Sequence, residues 1–284
     1  MKEKRLKWVL VAPALTMIIA LIIFPLIYAL RAALYLYRYG KPVQFVGLQN
    51  FIDLFKNPLV LNAVTNTVIY TVIAVTAEFF LGLLLALLMN REVRGFSRTI
   101  RAALTIPMFI APVVVGIIWR MMYNPQYGLF DWLLGIHNFA PTGGNHALFF
   151  VIIADVWQWT PFMYIIILAA LQSVSPELIE ASIIDGAGTL QRTVRIILPS
   201  ISAAIVIAFT LRFMEATKAL DIIYTLTFGG PGVDTETVGF MIFRLAFNDV
   251  RIGTATAFSW LYTIVISVIL GFFMSWLNRR YEIV

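Results

Sequence analysis

The sequence contains no cysteine among its 284 residues, and only 13% of the residues are charged. The absence of cysteine excludes disulfides, thiolate catalysis and cysteine-ligated zinc. Soluble domains carry about 25% charged residues, so this chain has too few charges to cover a surface exposed to water. Hydrophobic residues make up 61%, against about 45–50% in soluble domains, which indicates a protein that crosses a membrane several times.

Six long apolar segments run along the chain. A helix that crosses the hydrocarbon core of a bilayer needs about 20 apolar residues. Barrel strands are shorter and alternate with period two, so continuous runs of this length favour helices. We predict an all-α membrane protein in which residues 1–284 form a single transmembrane domain of six helices. The predicted spans cover about 8–30, 63–89, 102–123, 148–172, 200–222 and 255–277.

Lysines and arginines beside these segments predict the orientation, because cytoplasmic connections are enriched in both residue types. With the N-terminus inside, twelve of the 21 basic residues lie on inner pieces and seven on outer pieces. An even number of spans then places both termini in the cytoplasm and makes the chain a multi-pass protein of the cell membrane. The inner set is Lys2, Lys4, Arg5, Lys7, Arg91, Arg94, Arg98, Arg101, Arg192, Arg195, Arg279 and Arg280.

The inner connection after the fourth segment predicts a short, sharply bounded helix. Ser175 suits the N-cap, and Pro176 suits the first helical position, where no amide donor is needed. Glu177 favours the positive end of a helix, whereas Gly186 and Gly188 suit left-handed helix stops. We expect about ten helical residues between these signals. A well-capped connector would explain the pattern without any further function.

Three short motifs stand in this connection: Glu180-Ala181-Ser182, Asp185-Gly186-Ala187 and Ile196-Ile197-Leu198-Pro199. Together they resemble the EAA loop of permease subunits in binding-protein-dependent ABC importers, with a serine in place of the second alanine. In that family the short helix docks into a groove of a cytoplasmic ATPase. The resemblance therefore implies a coupling loop over 173–199, with coupling residues Glu180, Ala181, Ser182, Asp185, Gly186 and Gly188.

Other segments resemble the sugar-importing branch of the same family. They cover residues 45–51, 169–173, 226–232 and 235–237. The resemblance implies the type I ABC importer permease fold and a subunit of maltose, trehalose or glycerol-phosphate import. Such a subunit is not itself an enzyme and holds no cofactor, because ATP and Mg²⁺ bind to the partner ATPase.

The resemblance also implies the partners of the chain. A second permease would complete the path, a cytoplasmic ATPase dimer would supply the energy, and an extracytoplasmic solute-binding protein would deliver the solute. The implied cargo is a carbohydrate such as a maltose- or trehalose-like oligosaccharide, with sn-glycerol-3-phosphate or another small polar solute as the alternative. No nucleic acid partner is expected, since the net charge of +6 is typical of residues that orient membrane helices.

Polar residues interrupt the fourth and fifth segments, although a charge at the bilayer centre costs about 2.5–3.5 kcal/mol on insertion scales. In the fourth segment they recur at helical spacing on one face. In the fifth, Arg212 and Glu215 are close enough to pair along one helix, as are Glu215 and Lys218. Two interpretations stay open: ion pairs that hold helices together, or a polar face along a solute path. By resemblance to the maltose-type subunit, the path residues are Asp155, Gln158, Trp159, Phe162, Arg212, Glu215 and Ala216.

Glu78 is a lone acid in the second segment, and we expect it to be hydrogen-bonded in the helix packing. A rival function is an ion-coupled carrier that uses Glu78 or Asp155 as a proton site. An intramembrane enzyme is disfavoured, because no histidine or cysteine lies in the spans. His137 and His146 lack carboxylate or cysteine neighbours at ligand spacing, so no metal site is predicted.

Prolines predict irregularities in two spans. Pro107 and Pro112 should kink the third segment, because each lacks a backbone donor and clashes with the preceding turn. A second helical piece is expected over about 189–198 of the inner connection. Pro199 should then stand in the first turn of the fifth membrane helix.

Overall fold

The computed structural model describes residues 2–39, 41, 43–90, 97–134, 140–144 and 146–281. The described residues are mostly helical, as predicted, and one two-stranded hairpin is present among them. The chain divides into two compact units. The first unit comprises residues 1–60 and 241–269, and the second comprises residues 61–240 and 270–284.

The first unit begins with a long apolar helix. Helix α1 (Lys2–Ile18) passes through a wide π turn, Ile19–Ile23, into α2 (Phe24–Ala33). Within Leu10–Ala33 an 18-residue window reaches a mean hydropathy of 2.7, which suits a membrane span. A hairpin follows, in which β1 (Tyr35–Leu36) pairs antiparallel with β2 (Gln44–Phe45).

Asn50 holds the hairpin in place from the next helix, α3 (Gln49–Lys56). Its side-chain amide donates to the carbonyl of Ala33 at 2.8 Å and to that of Tyr35 at 2.9 Å. The returning part of the unit enters α15 (Ile252–Tyr281), where Gly253 lies against the Tyr35 carbonyl so closely that a Cβ would clash. The 45–51 motif thus has a structural role, because its Asn50 side chain donates hydrogen bonds to one carbonyl at the end of α2 and one in β1.

The second unit contains the helices that position the candidate site. They are α4 (Pro58–Met89), α5 (Ser97–Thr105) with a 3₁₀ turn Ile106–Phe109, α6 (Pro112–Met122), α7 (Leu129–Leu134), α8 (Ala147–Gln172), α9 (Pro176–Ile184), α10 (Thr189–Arg192) with a π turn Thr193–Ile197, α11 (Leu198–Ser200), α12 (Ser202–Ala216) and α13 (Asp221–Leu226). Helix α14 (Val238–Phe243) and a π turn Arg244–Asn248 then lead toward α15.

Glycines allow α4 and α6 to approach their neighbours closely. A Cβ on Gly82 of α4 would stand 2.6 Å from the Cβ of Met163, and one on Gly116 of α6 would collide with Thr225. Small residues at helix contacts are the usual means of close packing inside membranes. The α4–α8 and α6–α13 contacts therefore depend on the absence of a side chain at these two positions.

The third apolar segment is broken, as its prolines predict. The pieces Thr99–Phe109 and Pro112–Met122 meet at 98°. Ala111 has an extended backbone, with φ −59° and ψ 137°, and Pro112 opens α6. Proline in the first helical position needs no amide partner, so the second piece starts there without losing a hydrogen bond.

The fifth segment differs from its prediction at both ends. Helical residues Thr189–Ser200 meet Ser202–Ala216 at a 71° bend, so Pro199 lies before the bend and not in the first turn of α12. Helix α12 ends at Ala216 instead of near residue 222. The cause is a tight turn, in which Lys218 donates to the Glu215 carbonyl and Ala219 to that of Ala216.

Four described helices are long and apolar enough to cross a membrane, and the count reaches six when each bent pair is taken as one span. The connection after α13 packs onto α4 inside the second unit. Asn62 and Asn66 donate to the Val233 carbonyl at 2.8 and 3.2 Å, and Thr235 is fully buried. The segment that carries the 226–232 and 235–237 motifs is thus held against α4 by hydrogen bonds.

Candidate functional site

Three charged side chains from three helices meet inside the second unit. Arg212 of α12 donates its Nε to Glu78 Oε2 at 2.7 Å and its Nη2 to Glu78 Oε1 at 2.9 Å. The same Nη2 also donates to Asp155 of α8. The side chains are 3%, 0% and 5% exposed for Arg212, Glu78 and Asp155. We call these three residues the ion cluster.

The ion cluster follows from the chemistry of its members. A charge in the low-dielectric interior is tolerated only when it is paired and hydrogen-bonded. The planar guanidinium of Arg212 matches a carboxylate in two parallel hydrogen bonds, and Glu78 occupies that position. The hydrogen-bonded packing expected for Glu78, the only acid of the second segment, is observed, and its partner is Arg212.

Aromatic side chains complete the surroundings of Arg212. The Trp159 ring lies 5.1 Å from the guanidinium carbon, a distance typical of a cation–π contact. Phe162 packs edge-on against Trp159, with ring centroids 6.3 Å apart. Tyr70 lies beside Asp155, eight residues and about two helical turns before Glu78 on α4. Residues about two turns apart lie on the same face of a helix, so this spacing from Glu78 is the sequence signal that could have identified Tyr70.

A cavity of about 100 Å³ opens beside the ion cluster. Asp155, Trp159, Arg212 and Glu215 line it, which brings four of the seven predicted path residues together. Of the two pairings that the sequence allowed for Glu215, the one with Lys218 forms, at 3.0 Å, and the one with Arg212 does not; the Glu215 and Lys218 side chains are both 60% exposed. Tyr70, Pro112, Lys218 and Asp221 also line the cavity and were not among the predicted path residues.

Gln158 and Ala216 lie away from the cavity wall. Gln158 is 1% exposed and donates its Nε2 to the Ile110 carbonyl at 2.8 Å, at the break of the third segment. The carbonyl is available because Ile110 lies between the two helical pieces. Ala216 is also 1% exposed. Gln158 thus links the broken third segment to α8 by a hydrogen bond. Helical spacing alone did not indicate this contact.

The predicted short helix is present as α9, with clear ends. Ser175 has the backbone of an N-cap, but its hydroxyl donates to the Glu177 carboxylate instead of accepting from a backbone amide of the first turn. This hydrogen bond holds the pKa of the Glu177 carboxyl below its ordinary value, so the acid stays ionised at the positive helix end. Gly186 ends the helix with φ +76°, the left-handed conformation predicted for it.

Gly188 differs from its predicted conformation, and Ser182 is the one buried residue among the predicted coupling residues. Gly188 is not left-handed, since its φ is −64°, and it serves as the N-cap of α10. Ser182 is 4% exposed, and its hydroxyl donates to the Ile179 carbonyl at 2.6 Å. The serine that replaces the second alanine therefore satisfies its own polar group within the helix. Glu180, Ala181 and Asp185 are exposed.

Four large apolar side chains on α9 and shortly after it are exposed. Leu178, Ile183, Ile184 and Leu190 are 45%, 56%, 85% and 78% exposed. We call these four residues the apolar knob.

His146 is exposed at the start of α8, and His137 lies outside the described residues. Among the described residues no group of three or more histidines or acids could hold a metal ion.

Comparisons with known proteins agree with this architecture. Residues 78–283 match the family described as binding-protein-dependent transport system inner membrane component. The chain is 37% identical to a probable ABC transporter permease protein of Sinorhizobium fredii over 90% of its length and 85% of the relative's. It is 34% identical to a trehalose/maltose transport system permease protein of Thermococcus litoralis, over 89% and 88%.

Solved structures show the same fold. A chain of a bacterial alginate ABC transporter, crystallised with an alginate pentasaccharide-bound periplasmic protein, superposes with a TM-score of 0.84. The two chains are 23% identical, and the match covers 98% of this chain and 96% of that one. The likeness confirms the predicted all-α permease fold.

Proposed function

The chain belongs to the inner membrane components of binding-protein-dependent transport systems, and on that premise we propose that it forms half of an ATP-driven path for carbohydrate uptake. A second permease subunit forms the other half. A separate cytoplasmic ATPase dimer binds ATP and Mg²⁺ and performs the hydrolysis, so this chain is a translocation subunit and not an enzyme. An extracytoplasmic binding protein delivers the solute.

The observation that carries this proposal is the apolar knob on α9 and α10. Ile184 and Leu190 expose most of their side chains, although such residues are normally buried in a folded protein. Large apolar side chains exposed outside the membrane spans are typical of an interaction site. The surface lies on the connection that the sequence places in the cytoplasm, next to Glu180 of the EAA loop. A groove on the ATPase is therefore the proposed partner.

The helix is suited to transmit force. Helix α9 is held at one end by the Ser175–Glu177 hydrogen bond and at the other by the left-handed Gly186. Ala187 donates to the Ser182 carbonyl, which closes the last turn. A short rigid element with fixed ends moves as one body when its partner moves. ATP-driven closure of the ATPase dimer would then rock the permease halves between inward-facing and outward-facing states.

The charge balance of the cavity supports a neutral solute over an anionic one. Arg212 is occupied by Glu78 and Asp155, and Lys218 is paired with Glu215. Among the described residues both cations on the cavity wall are already paired with carboxylates, and Asp221 adds a further acidic side chain. These features favour a maltose- or trehalose-like sugar over sn-glycerol-3-phosphate, the alternative cargo.

The size of the cavity supports a two-permease path. A volume of about 100 Å³ is below the 300 Å³ or so at which small-molecule pockets begin. This chain alone therefore offers too little room for an oligosaccharide. Surface from a second permease must complete the path, and Asp155, Trp159, Arg212 and Glu215 would line this subunit's side of it.

The decisive experiment is uptake by the reconstituted complex with radiolabelled trehalose, maltose and sn-glycerol-3-phosphate. We expect sugar uptake that requires ATP, is blocked by vanadate and is unaffected by an uncoupler. Uptake that survives vanadate and collapses with an uncoupler would instead establish the ion-coupled carrier, with Glu78 or Asp155 as its proton site. Purified chain that hydrolysed a lipid or peptide alone would establish an enzyme.

A further inference from the structure

An exposed apolar stripe runs along α3 in the first unit. Leu48, which precedes the helix, and Ile52 and Phe55 within it are 65%, 45% and 75% exposed. Their spacing of four and then three residues places them on one face of the helix. We call these three residues the α3 stripe. Several large apolar side chains exposed on one face mark a surface that something outside the chain covers.

The other two faces of α3 have their partners within the chain or in water. Asn50 and Leu54 are 4% and 1% exposed, so their face packs inside the first unit. Gln49 donates to Asp53 at 2.7 Å on an exposed polar face. The α3 stripe lies between these two faces, and no described residue covers it.

Two apolar helices fix the depth at which α3 lies. The Asn50 amide donates to the carbonyl of Ala33, the last residue of the candidate span Leu10–Ala33. Its oxygen accepts a hydrogen bond from the Thr254 hydroxyl at 3.4 Å, in the first turn of the candidate span Ile252–Phe273. Helix α3 is therefore fastened where one span ends and another begins, which is the boundary of the bilayer.

The surface next to α3 is also one that lipid covers. Within Leu10–Ala33 none of the most apolar window is buried inside the chain. A span of this kind is surrounded by lipid when the chain lies in a membrane. The α3 stripe continues this apolar surface at the end of the span.

The residues around the α3 stripe have the chemistry of a membrane boundary. Tyr37 and Tyr39 are 37% and 85% exposed, and tyrosine is enriched at this level because its ring is apolar and its hydroxyl is polar. Arg38, Lys41 and Lys56 are exposed as well. Long basic side chains lay their stems on apolar surface and keep the charge at the headgroups. Lysine and arginine are normally scarce on extracytoplasmic connections, so contact with lipid phosphates accounts for them here.

We propose that α3 is an interfacial helix, with the α3 stripe inserted into the extracytoplasmic leaflet and the neighbouring basic side chains at the lipid phosphates. Phospholipid is thus the occupant of this face, and it fixes the depth of the hairpin and of both span ends. The proposal depends on the membrane location and the predicted orientation, and not on the solute or the ATPase. The rival occupant is the extracytoplasmic binding protein.

The test is the depth of spin labels in the full chain, reconstituted without partners into vesicles of phosphatidylethanolamine and phosphatidylglycerol. The chain has no cysteine, so Leu48→Cys, Ile52→Cys and Phe55→Cys each introduce one labelling site. Collisions with oxygen, which concentrates in lipid, and with a water-soluble nickel complex give the depth. We expect these labels about 5–10 Å below the phosphates, as for other interfacial helices. Labels on the polar face, at Asp53→Cys and Lys56→Cys, should lie at or above the phosphates.

Three results of this measurement would overturn the proposal. Stripe labels that collide more with nickel than with oxygen would lie in water. Stripe labels shielded from both reagents would be packed against protein. Labels that lose their contact with nickel only after the second permease, the ATPase and the binding protein are added would assign the stripe to a protein partner.

A double variant tests the apolar side chains themselves. Ile52→Gln with Phe55→Gln removes apolar surface and leaves the buried face of α3 untouched. We expect the label at Leu48→Cys to move outward to the level of the phosphates. The matched control, Gln49→Ala with Asp53→Ala, changes the polar face and should leave the depth of that label unchanged. An unchanged depth in the glutamine variant would also overturn the proposal, because the stripe would then not hold the helix in the lipid.

Discussion

The ion cluster and the apolar knob are opposites within the same unit. In the ion cluster, Arg212, Glu78 and Asp155 are charged but buried, and each has a partner within the chain. In the apolar knob, Ile184 and Leu190 are apolar but exposed. Each arrangement is unfavourable unless something compensates it. In the ion cluster, ion pairs within the chain compensate the burial of the charges. For the apolar knob, on our proposal, contact with the ATPase compensates the exposure of the apolar side chains.

This contrast separates residues that hold the subunit together from residues that act on a partner. Removing a member of the ion cluster leaves a buried charge unpaired within the chain, so stability should fall first. Removing a member of the apolar knob leaves the chain intact, so only association should suffer. The variants below test that separation, from the largest expected effect to the smallest.

Arg212→Ala should have the largest effect. Two buried carboxylates lose their cation, and breaking a buried pair costs about 3–5 kcal/mol. We expect a large fall in melting temperature and in the amount of protein recovered from the membrane. The matched control is Arg212→Ala with Glu78→Gln and Asp155→Asn, which removes all three charges and should recover much of the loss. Normal stability with poor uptake in Arg212→Ala would assign the cluster to the solute path alone.

Glu180→Lys should abolish coupling without unfolding the chain. Glu180 is exposed, so its replacement leaves the packing of α9 intact. We expect at least a tenfold loss of ATP-dependent uptake and failure to capture the ATPase in a pull-down. Asp53→Lys reverses the charge of an exposed acid on α3 and should leave both unchanged. A normal pull-down together with normal uptake in Glu180→Lys would remove the docking role.

Ile183→Ser with Ile184→Ser should weaken the ATPase complex more moderately. An isoleucine buried against a partner contributes about 1.5–3 kcal/mol, or about 10–100-fold in affinity. In the free chain both side chains are mostly exposed, so thermal stability should not fall. Titration of the ATPase onto reconstituted permease measures the affinity. If affinity holds and stability drops, the two isoleucines pack within the chain.

Glu215→Gln with Lys218→Gln should have the smallest effect on stability. The pair is 60% exposed at both side chains, and such surface pairs contribute about 0–1 kcal/mol. Because both residues line the cavity, we expect altered sugar uptake, seen as a raised KM, at an almost unchanged melting temperature. Uptake kinetics identical to the wild type would place the pair outside the path.

The sequence predicted the elements whose signals are local. The caps around Ser175 and Gly186 set the ends of α9, and Pro112 set the break in the third segment. Gly188 was misassigned, because a glycine tolerates both the left-handed and the extended conformation. The early end of α12 at Ala216 was missed for a similar reason, since the turn after it lacks a proline or glycine stop.

The sequence could not predict contacts between helices that are distant in the chain. Glu78 and Arg212 are 134 positions apart, so only the packing of α4 against α12 brings them together. Spacing along one helix allowed both an Arg212–Glu215 and a Glu215–Lys218 pair, and only the second forms, because Arg212 is held by Glu78 and Asp155. Gln158 was likewise assigned by its face of α8, whereas its partner Ile110 exists only because the third span is broken.

The most direct test of the coupling proposal uses the absence of cysteine. Ile184→Cys introduces the only thiol of the chain, at a position 85% exposed. We predict that an impermeant maleimide labels it in inside-out vesicles, not in intact cells, and that the assembled ATPase protects it. Labelling from outside intact cells, or labelling unaffected by the ATPase, would contradict a cytoplasmic helix that receives work from a nucleotide-hydrolysing partner.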